Sequence, residues 1–343
     1  MIGTAQPPIV GGKYHLIEIA GLRVNTIPDF DLYLVNEKEK RYVLYRTHNT
    51  PFGEPERQRL LENKVKRLFV STDDRNKHQR YQENNLPYII RDKTLSVQQK
   101  AQVVYQSAAG RVRQVLDNPT SSEGVKRSRH VVENVVKFVL TDTRALDRLI
   151  SLSTAVYEVY THSVNVCTYG LALARHLGIS DLGDLRDLGT GLLLHDCGKS
   201  KVPKDILRKP DRLDPQEWKL MRRHPLWGYE LLQAAGSLNP RVLEIVRYHH
   251  ESADGSGYPN GLPLIQIPHW AMICRLADVF DALTTNRCYK ASLRPFEALQ
   301  TMCREMSEQL DPRLLTELIV LLGPGRSFVQ SEVLPAEVAD LIP

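Results

Sequence analysis

The sequence has few cysteines, no long apolar run and no dense cluster of one charge. Its five cysteines include no Cys-x-x-Cys pair, which argues against a cysteine-ligated zinc site, and their odd number indicates reduced thiols. No stretch approaches the roughly 18 uninterrupted apolar residues of a transmembrane helix, and the first residues lack a signal-peptide pattern. We therefore expect a cytoplasmic protein without a membrane partner. The cysteines are Cys167, Cys197, Cys274, Cys288 and Cys303.

The net charge of +5 is modest, and lysine and arginine are spread along the 343 residues rather than clustered. A nucleic-acid-binding surface requires a denser basic patch, so DNA is not an expected partner. A small anionic substrate held in a basic pocket fits the same charge equally well.

Residues 14–92 alternate strand-like and helical segments, which predicts a small α+β domain over residues 1–92. The segments DFDLYLV, RYVLYR and RLFVST have the composition of strands, whereas EPERQRLLENKVK and DRNKHQRYQENN are typical of helices. The lone histidines His15, His48 and His78 are expected at the surface. No catalytic cluster occurs here, so this domain is expected to be regulatory or sensory.

Helical periodicity begins near the capping box SVQQ at residues 96–99. Apolar residues then recur at helical spacing, which predicts two helices in a linker over residues 93–144. This linker could dock on the following domain, form a homodimer seam, or do both. Over residues 145–343, Gly and Pro separate successive helical patterns without a strand pattern, which predicts an all-α bundle.

Side chains that can bind metal ions recur on successive helices of this bundle. Glu158 and His162 lie four residues apart, a spacing that stacks two side chains on one helical face. Alone, each such residue is more often part of a core or a surface, but bundles also build metal sites from inward-pointing side chains. Neutral imidazole suits iron, manganese and zinc, and the added carboxylates shift the preference towards harder ions such as Mn(II) or Fe(II). The set is Glu158, His162, His195, Asp196, His224, His249, His250, Asp278 and Asp281.

The segments LLLHDCGK and HHESADGSGYP resemble the motifs of the HD-GYP family, a branch of the HD superfamily of metal-dependent phosphohydrolases. The resemblance covers residues 150–322 and implies an HD-type helical bundle. It also implies an enzyme, a phosphodiesterase that hydrolyses cyclic di-GMP to pGpG and/or GMP in bacterial signalling. The departures from the family pattern are Cys197, Ser200, Lys201, Cys288 and the ESA segment after the two histidines, and none removes a ligand.

The resemblance also assigns the metal ligands residue by residue. Asp196 is expected to bridge two ions and to be catalytic, and Glu158 would allow a third ion. We expect two or three divalent ions, Fe(II) or Mn(II). The ligands implied are Glu158, His162, His195, Asp196, His224, His249, His250 and Asp278.

Further residues are implied for the substrate. Lys199 is expected to act in catalysis and to reach a substrate phosphate. Arg287 and Lys290 would hold other phosphate oxygens, and Tyr258 would shape the pocket wall. Asp281 would either orient a ligand or contact the substrate and protonate its leaving oxygen.

Other functions stay open at this point. The protein could be a receptor that binds cyclic di-GMP or pGpG with slow or no turnover. It could also be an interaction module. In that case the GYP loop, which contains Gly257, Tyr258 and Pro259, would contact GGDEF-domain cyclases. Cyclic GMP-AMP is an alternative substrate.

Overall fold

The computed structural model describes residues 13–36, 38–39, 41–142, 144–152, 159–236, 238–286 and 292–322. The chain forms two compact units, and the boundary between them falls between Ser107 and Ala108. Among the described residues, no helix is both long and apolar enough to cross a membrane. The unit boundary lies inside one helix, Val97–Asp117, and the predicted linker over residues 93–144 stays a prediction.

The first unit combines a four-stranded sheet with helices, as the sequence predicts. Its elements are β1 (Tyr14–Glu18), β2 (Leu32–Asn36), β3 (Arg41–Arg46), α1 (Glu54–Glu62), β4 (Arg67–Ser71), α2 (Arg75–Arg91) and the start of α3 (Val97–Asp117). The strands lie in the order β1-β4-β2-β3, and all neighbouring strands are antiparallel.

Alternation along the strands decides which face of the sheet is buried. Ile17 in β1, Leu32 in β2, and Leu68 and Val70 in β4 are at most 1% exposed, whereas the residues between them keep partial exposure. Successive side chains of a strand point to opposite faces, so this period of two places one face in the core. Leu60 of α1 packs in the same core.

Two helices of this unit end elsewhere than the sequence predicts. Helix α1 stops at Glu62 rather than at residue 66, and Lys64 adopts a left-handed conformation with φ of 58°. Helix α2 continues to Arg91 instead of ending near residue 85, although Pro87 lies inside it. The proline removes one helical hydrogen bond, but full burial of Leu86 stabilises this part of the helix.

His78 is buried, which corrects the expectation of a surface position. Its Nδ1 lies 3.3 Å from Nε2 of His15, and its ring packs edge-on against Phe30 with centroids 5.4 Å apart. Burial, with added repulsion from His15, lowers the pKa of His78 to about 3. The imidazole is therefore neutral in the fold at a pH where an unfolded chain would protonate it.

We predict that His78 makes the first unit less stable as the pH falls below about 6.5. Its depressed pKa contributes stability that is fully present above the unfolded value and is lost as the pH falls towards 3. At pH 5 the loss is about 2 kcal/mol relative to pH 7. Hydrogen exchange of the β1 and β4 peptides, corrected for the pH dependence of intrinsic exchange, measures it.

The variant His78→Gln should lose that part of the pH dependence, whereas His48→Gln, at an exposed position of the same unit, controls for removal of an imidazole. Equal pH dependence in the parent and in His78→Gln would show that the burial of His78 is not responsible.

The second unit is helical, and the structure describes no strand in it, which confirms the predicted all-α bundle. Its helices after α3 are α4 (Ser122–Thr141), α5 (Ala145–Leu152), α6 (Val159–His176), α7 (Leu182–Leu194), α8 (Lys204–Leu207), α9 (Pro215–Met221), α10 (His224–Ala235), α11 (Pro240–Tyr248), α12 (His269–Thr284), α13 (Pro295–Glu305) and α14 (Pro312–Leu322). A short 3-10 helix, Cys197–Lys201, follows α7.

Helix α6 carries one predicted ligand into the core of the second unit. Every residue from His162 to Ala174 is buried, as expected for a helix enclosed on all sides. A Cβ added to Gly170 would lie 2.6 Å from the Leu192 side chain of α7. The absence of a side chain there lets the two helices pack closely.

Candidate metal centre

Five of the predicted metal ligands lie at helix ends. His195 and Asp196 directly follow α7, His224 begins α10, and His249 and His250 directly follow α11. Backbone groups at helix ends lack partners inside the helix, so side chains there can bond to the backbone and to a neighbouring site at once.

A glycine after the His-Asp pair brings two of these helix ends together. A Cβ on Gly198 would lie 2.0 Å from the carbonyl oxygen of His224 and 2.5 Å from the backbone nitrogen of Gly228. Only glycine permits this approach of the 3-10 helix to α10. The contact places His195 and Asp196 beside His224.

Asp196 lies between two groups of side chains. Its Oδ1 is 3.2 Å from Nε2 of His224 and 3.9 Å from Nε2 of His249. Its Oδ2 is 3.6 Å from Nε2 of His162 and 3.4 Å from Nε2 of His195. This is the position of a carboxylate that can bridge two ions. Within each group the ligand atoms lie within 4.8 Å of one another. The first group is Asp196, His224, His249 and His250, and the second is His162, His195 and Asp278.

Three of the imidazoles share one hydrogen-bond pattern. In each ring Nδ1 donates to a carbonyl three residues earlier in the chain. With Nδ1 protonated, Nε2 presents a lone pair to the cluster, and the ring also satisfies a carbonyl near a helix end. The pairs are His195 with Leu192 at 2.7 Å, His224 with Met221 at 2.8 Å and His249 with Val246 at 2.9 Å.

Lone pairs consequently face one another inside the cluster. Nε2 of His224 lies 3.2 Å from Nε2 of His249, and neither nitrogen has a proton to share. Nε2 of His195 and Oδ1 of Asp196 are buried without a hydrogen-bond partner among the described atoms. Although Nε2 of His224 is near this Oδ1, the contact joins two acceptors. Buried acceptors that face one another require a cation, so the cluster fits divalent metal ions.

The electrostatics of the cluster favour the same protonation state. Burial alone would raise the pKa of Asp196, but the Lys199 ammonium beside it holds the pKa well below its usual range. The Nζ of Lys199 lies 2.5 Å from Oδ2 of Asp196. Burial lowers the pKa values of His249 and His250 well below the usual value. Anionic carboxylate and neutral imidazole are the forms that bind metal ions.

One side of the cluster is open to solvent. The side chains of Lys199 and His250 are 16% exposed and that of Asp278 is 12% exposed, whereas the remaining ligands are at most 2% exposed. The Tyr258 ring stacks on the His250 ring at this side, with centroids 4.7 Å apart. Nδ1 of His250 does not bond to a carbonyl but faces Nη1 of Arg275 at 3.4 Å. Among the described ligands, the partly exposed side chains are therefore found on this side.

Asp281 is fully buried behind the cluster. Its Oδ2 accepts a hydrogen bond from Nδ1 of His162 at 2.7 Å, and its Oδ1 accepts from Asn165 at 2.7 Å and from Thr285 at 3.0 Å. Of the two roles that the sequence suggests, this geometry favours the orientation of a ligand over contact with the substrate.

Comparisons with known proteins agree with this geometry. Residues 144–314 match the model of the HD domain family. A solved structure described as an HDG"Y"P protein from Bdellovibrio bacteriovorus matches with a TM-score of 0.64 over 90% of this chain and 99% of that chain, and its 24% identity shows the fold alone. The second unit therefore contains an HD domain.

Curated relatives share sequence with part of this chain. A cyclic di-GMP phosphodiesterase of Pseudomonas aeruginosa is 36% identical over 224 residues, 65% of this chain and 52% of that protein. The cyclic di-GMP phosphodiesterase response regulator RpfG of Xanthomonas campestris is 38% identical over 148 residues, 43% of this chain and 39% of that protein. A 3'3'-cGAMP-specific phosphodiesterase of Vibrio cholerae is 35% identical over 163 residues, 47% and 31% of the two chains. The chain thus spans about half or less of the length of these relatives.

Glu251, for which the sequence predicts no role, holds the GYP loop in place through hydrogen bonds to its backbone. This carboxylate is 2% exposed and accepts the backbone N–H groups of Asn260 at 2.7 Å and Leu262 at 2.9 Å. A Cβ on Gly257 would lie 2.3 Å from the backbone nitrogen of Ser252, so the loop folds tightly back on its own start. An acidic residue directly after two histidines, at the start of a glycine-rich segment, is the sequence feature that could have indicated this role.

Three predicted site residues, Glu158, Arg287 and Lys290, and the departure at Cys288 lie outside the described residues. Their roles stay predictions.

We predict that Asp281→Asn weakens metal binding about 10- to 100-fold, because the amide no longer holds His162 as a charged acceptor does. The measurement is the metal content of the purified protein, together with titration of the metal-free protein with Mn(II). Asp205→Asn, at an exposed position in α8, is the matched control. Full metal affinity together with lost activity would support the substrate-contacting role of Asp281 instead.

A second prediction concerns the loop. Glu251→Ala leaves two partly buried N–H groups without an acceptor and should destabilise the domain by about 1–3 kcal/mol. Glu251→Gln retains one acceptor oxygen and should fall between this variant and the parent. Thermal unfolding and hydrogen exchange of the 251–262 peptide measure the effect.

Asp254→Ala, at an exposed position of the same loop, removes the acceptor of the backbone N–H and the hydroxyl of Ser256 and controls for changes within the loop. Equal exchange in Glu251→Ala and the parent would mean that Glu251 does not hold the loop.

Proposed function

We propose that the second unit is an HD-GYP domain, a metal-dependent phosphodiesterase that hydrolyses cyclic di-GMP to pGpG and/or GMP. The observation that carries this proposal is the buried Asp196 carboxylate shared by two groups of ligands next to one solvent-open side. The names of the relatives from Pseudomonas aeruginosa and Xanthomonas campestris support the substrate. The relative named for 3'3'-cGAMP makes cyclic GMP-AMP the alternative substrate to test.

We infer two or three Fe(II) or Mn(II) ions, because the ligands are imidazoles and carboxylates without thiolate. When bound, such ions supply Lewis-acid activation of water and of a phosphoryl oxygen. The residues that would hold them are His162, His195, Asp196, His224, His249, His250 and Asp278, with Glu158 as the predicted ligand of a third ion.

The chain's own residues would prepare the reaction. Asp281 fixes the His162 ring with its Nε2 towards the cluster. Lys199 lies at the open side beside Asp196, where its compact charge would neutralise a phosphoryl oxygen of the substrate. Tyr258 forms a wall of that side, and Arg287 and Lys290 are the predicted contacts to other phosphate oxygens.

We predict that Lys199→Ala lowers kcat for cyclic di-GMP about 100-fold, because a positioned charge on the reacting group is lost. Lys201→Ala is the matched control, since Lys201 pairs with Glu230 and is 40% exposed. The protein is purified without oxygen, loaded with Fe(II) or Mn(II), and products are separated by chromatography. Unchanged kcat in Lys199→Ala would remove Lys199 from the mechanism.

The products of the parent protein decide between the open functions. GMP as end product supports complete hydrolysis, whereas accumulation of pGpG supports a single cut. Metal-loaded protein that binds cyclic di-GMP without hydrolysing it would contradict the enzyme and favour the receptor. Retention of a GGDEF-domain protein by the parent but not by Tyr258→Ala, again without hydrolysis, would favour the interaction module.

A further inference from the structure

Arg222 lies over the Tyr258 ring at the open side of the metal centre. Its guanidinium carbon is 4.7 Å from the Tyr258 ring centroid, and the same ring stacks on His250. A guanidinium over an aromatic ring is attracted by the electron-rich face of the ring. Tyr258 therefore connects an exposed arginine to a metal-ligating histidine.

Arg222 carries a charge that no described carboxylate neutralises, since no described acidic side chain lies within ion-pair distance of it. Two other cations lie at this side. Lys199 is paired with Asp196, and the Arg275 guanidinium faces Nδ1 of His250. The next residue, Arg223, is also exposed but lies over Trp227 at 5.0 Å instead. The Tyr258 ring thus positions the Arg222 guanidinium, and its N–H groups remain available to an anionic ligand.

The proposed substrate has a second anionic group that needs a partner. Cyclic di-GMP contains two phosphodiesters, and only one can occupy the metal centre at a time. The other must lie outside the ligand cluster, towards the open side. A guanidinium binds phosphate oxygens through two parallel hydrogen bonds, and a guanidinium already held on a ring loses little freedom on binding.

We propose that Arg222 binds the phosphate that is not being cut, which is the second phosphodiester of the cyclic dinucleotide or the terminal phosphate of pGpG. This inference rests on the proposed function. Arg222 would select substrates with two phosphates over simple phosphodiesters, and Tyr258 would act as the support that positions its guanidinium.

The test compares cyclic di-GMP with bis(p-nitrophenyl) phosphate, which has one phosphodiester and no second phosphate. The variants are Arg222→Ala, Arg222→Lys and the matched control Arg223→Ala in the full chain. We expect kcat/KM for cyclic di-GMP to fall at least about tenfold more than kcat/KM for the small diester in Arg222→Ala, mainly through KM. Arg222→Lys should lose less, because it retains the charge without the fork. Arg223→Ala should retain the parent's ratio of the two substrates.

Equal losses on both substrates in Arg222→Ala would overturn the proposal, because they would indicate a general disturbance of the Tyr258 wall. No loss on either substrate would overturn it as well. If Arg223→Ala lost as much kcat/KM for cyclic di-GMP as Arg222→Ala, the proposal would also be overturned, because general surface charge would explain the effect.

Binding separates this inference from the proposed function. Dissociation constants for cyclic di-GMP and pGpG are measured by calorimetry in an Asp196→Asn background, with and without Arg222→Ala. At least about tenfold weaker binding supports the phosphate contact even if the parent hydrolyses no diester, and equal binding overturns it. Absence of hydrolysis by the metal-loaded parent contradicts the proposed function alone.

Discussion

The burial of one negative charge, that of Asp196, is the constraint on which the second unit depends. A carboxylate taken out of water is costly unless cations or donors compensate for it. Among the described residues, Lys199 is the permanent cation that pairs with Asp196. The imidazoles around it present lone pairs, because their protons are used elsewhere. The arrangement is satisfied when cations occupy the space between these acceptors. Among the described residues, the same arrangement leaves Lys199, His250 and Asp278 partly exposed to solvent.

The helix ends supply the orientation of the ligands. One local geometry occurs three times: the Nδ1–H group of a histidine donates a hydrogen bond to the carbonyl three residues earlier. The histidines are His195, His224 and His249. His162 lies inside a helix, where the carbonyls are already bonded, and Asp281 provides the acceptor instead. The bundle thus fixes four imidazoles by short contacts within its core, and substrates cannot easily reorient them.

The open side has a different character from the buried cluster. Tyr258 lies on His250, Arg222 lies on Tyr258, and the loop that carries the tyrosine is tied down by Glu251. Aromatic and guanidinium groups there suit phosphates and bases better than they suit metal ions. Under the proposed function, metal binding and substrate selection therefore fall to adjacent layers of one site.

The sequence by itself determined the local structure and the inventory of chemistry. Strand-like composition predicted β2, β3 and β4, and helical periodicity predicted the bundle. The resemblance of its motifs to a known family implied the ligands that the structure brings together. Sequence patterns missed β1, the ends of α1 and α2, and the burial of His78, because these depend on packing against distant segments.

Only the tertiary structure decided how the site residues are paired. His162 and Asp281 are 119 residues apart in the chain, and Tyr258 and Arg222 lie on different segments, so no local pattern reveals either contact. Local spacing fixes which side chains share a helical face, whereas the partner of a buried nitrogen or of a surface cation depends on which helices the core brings together.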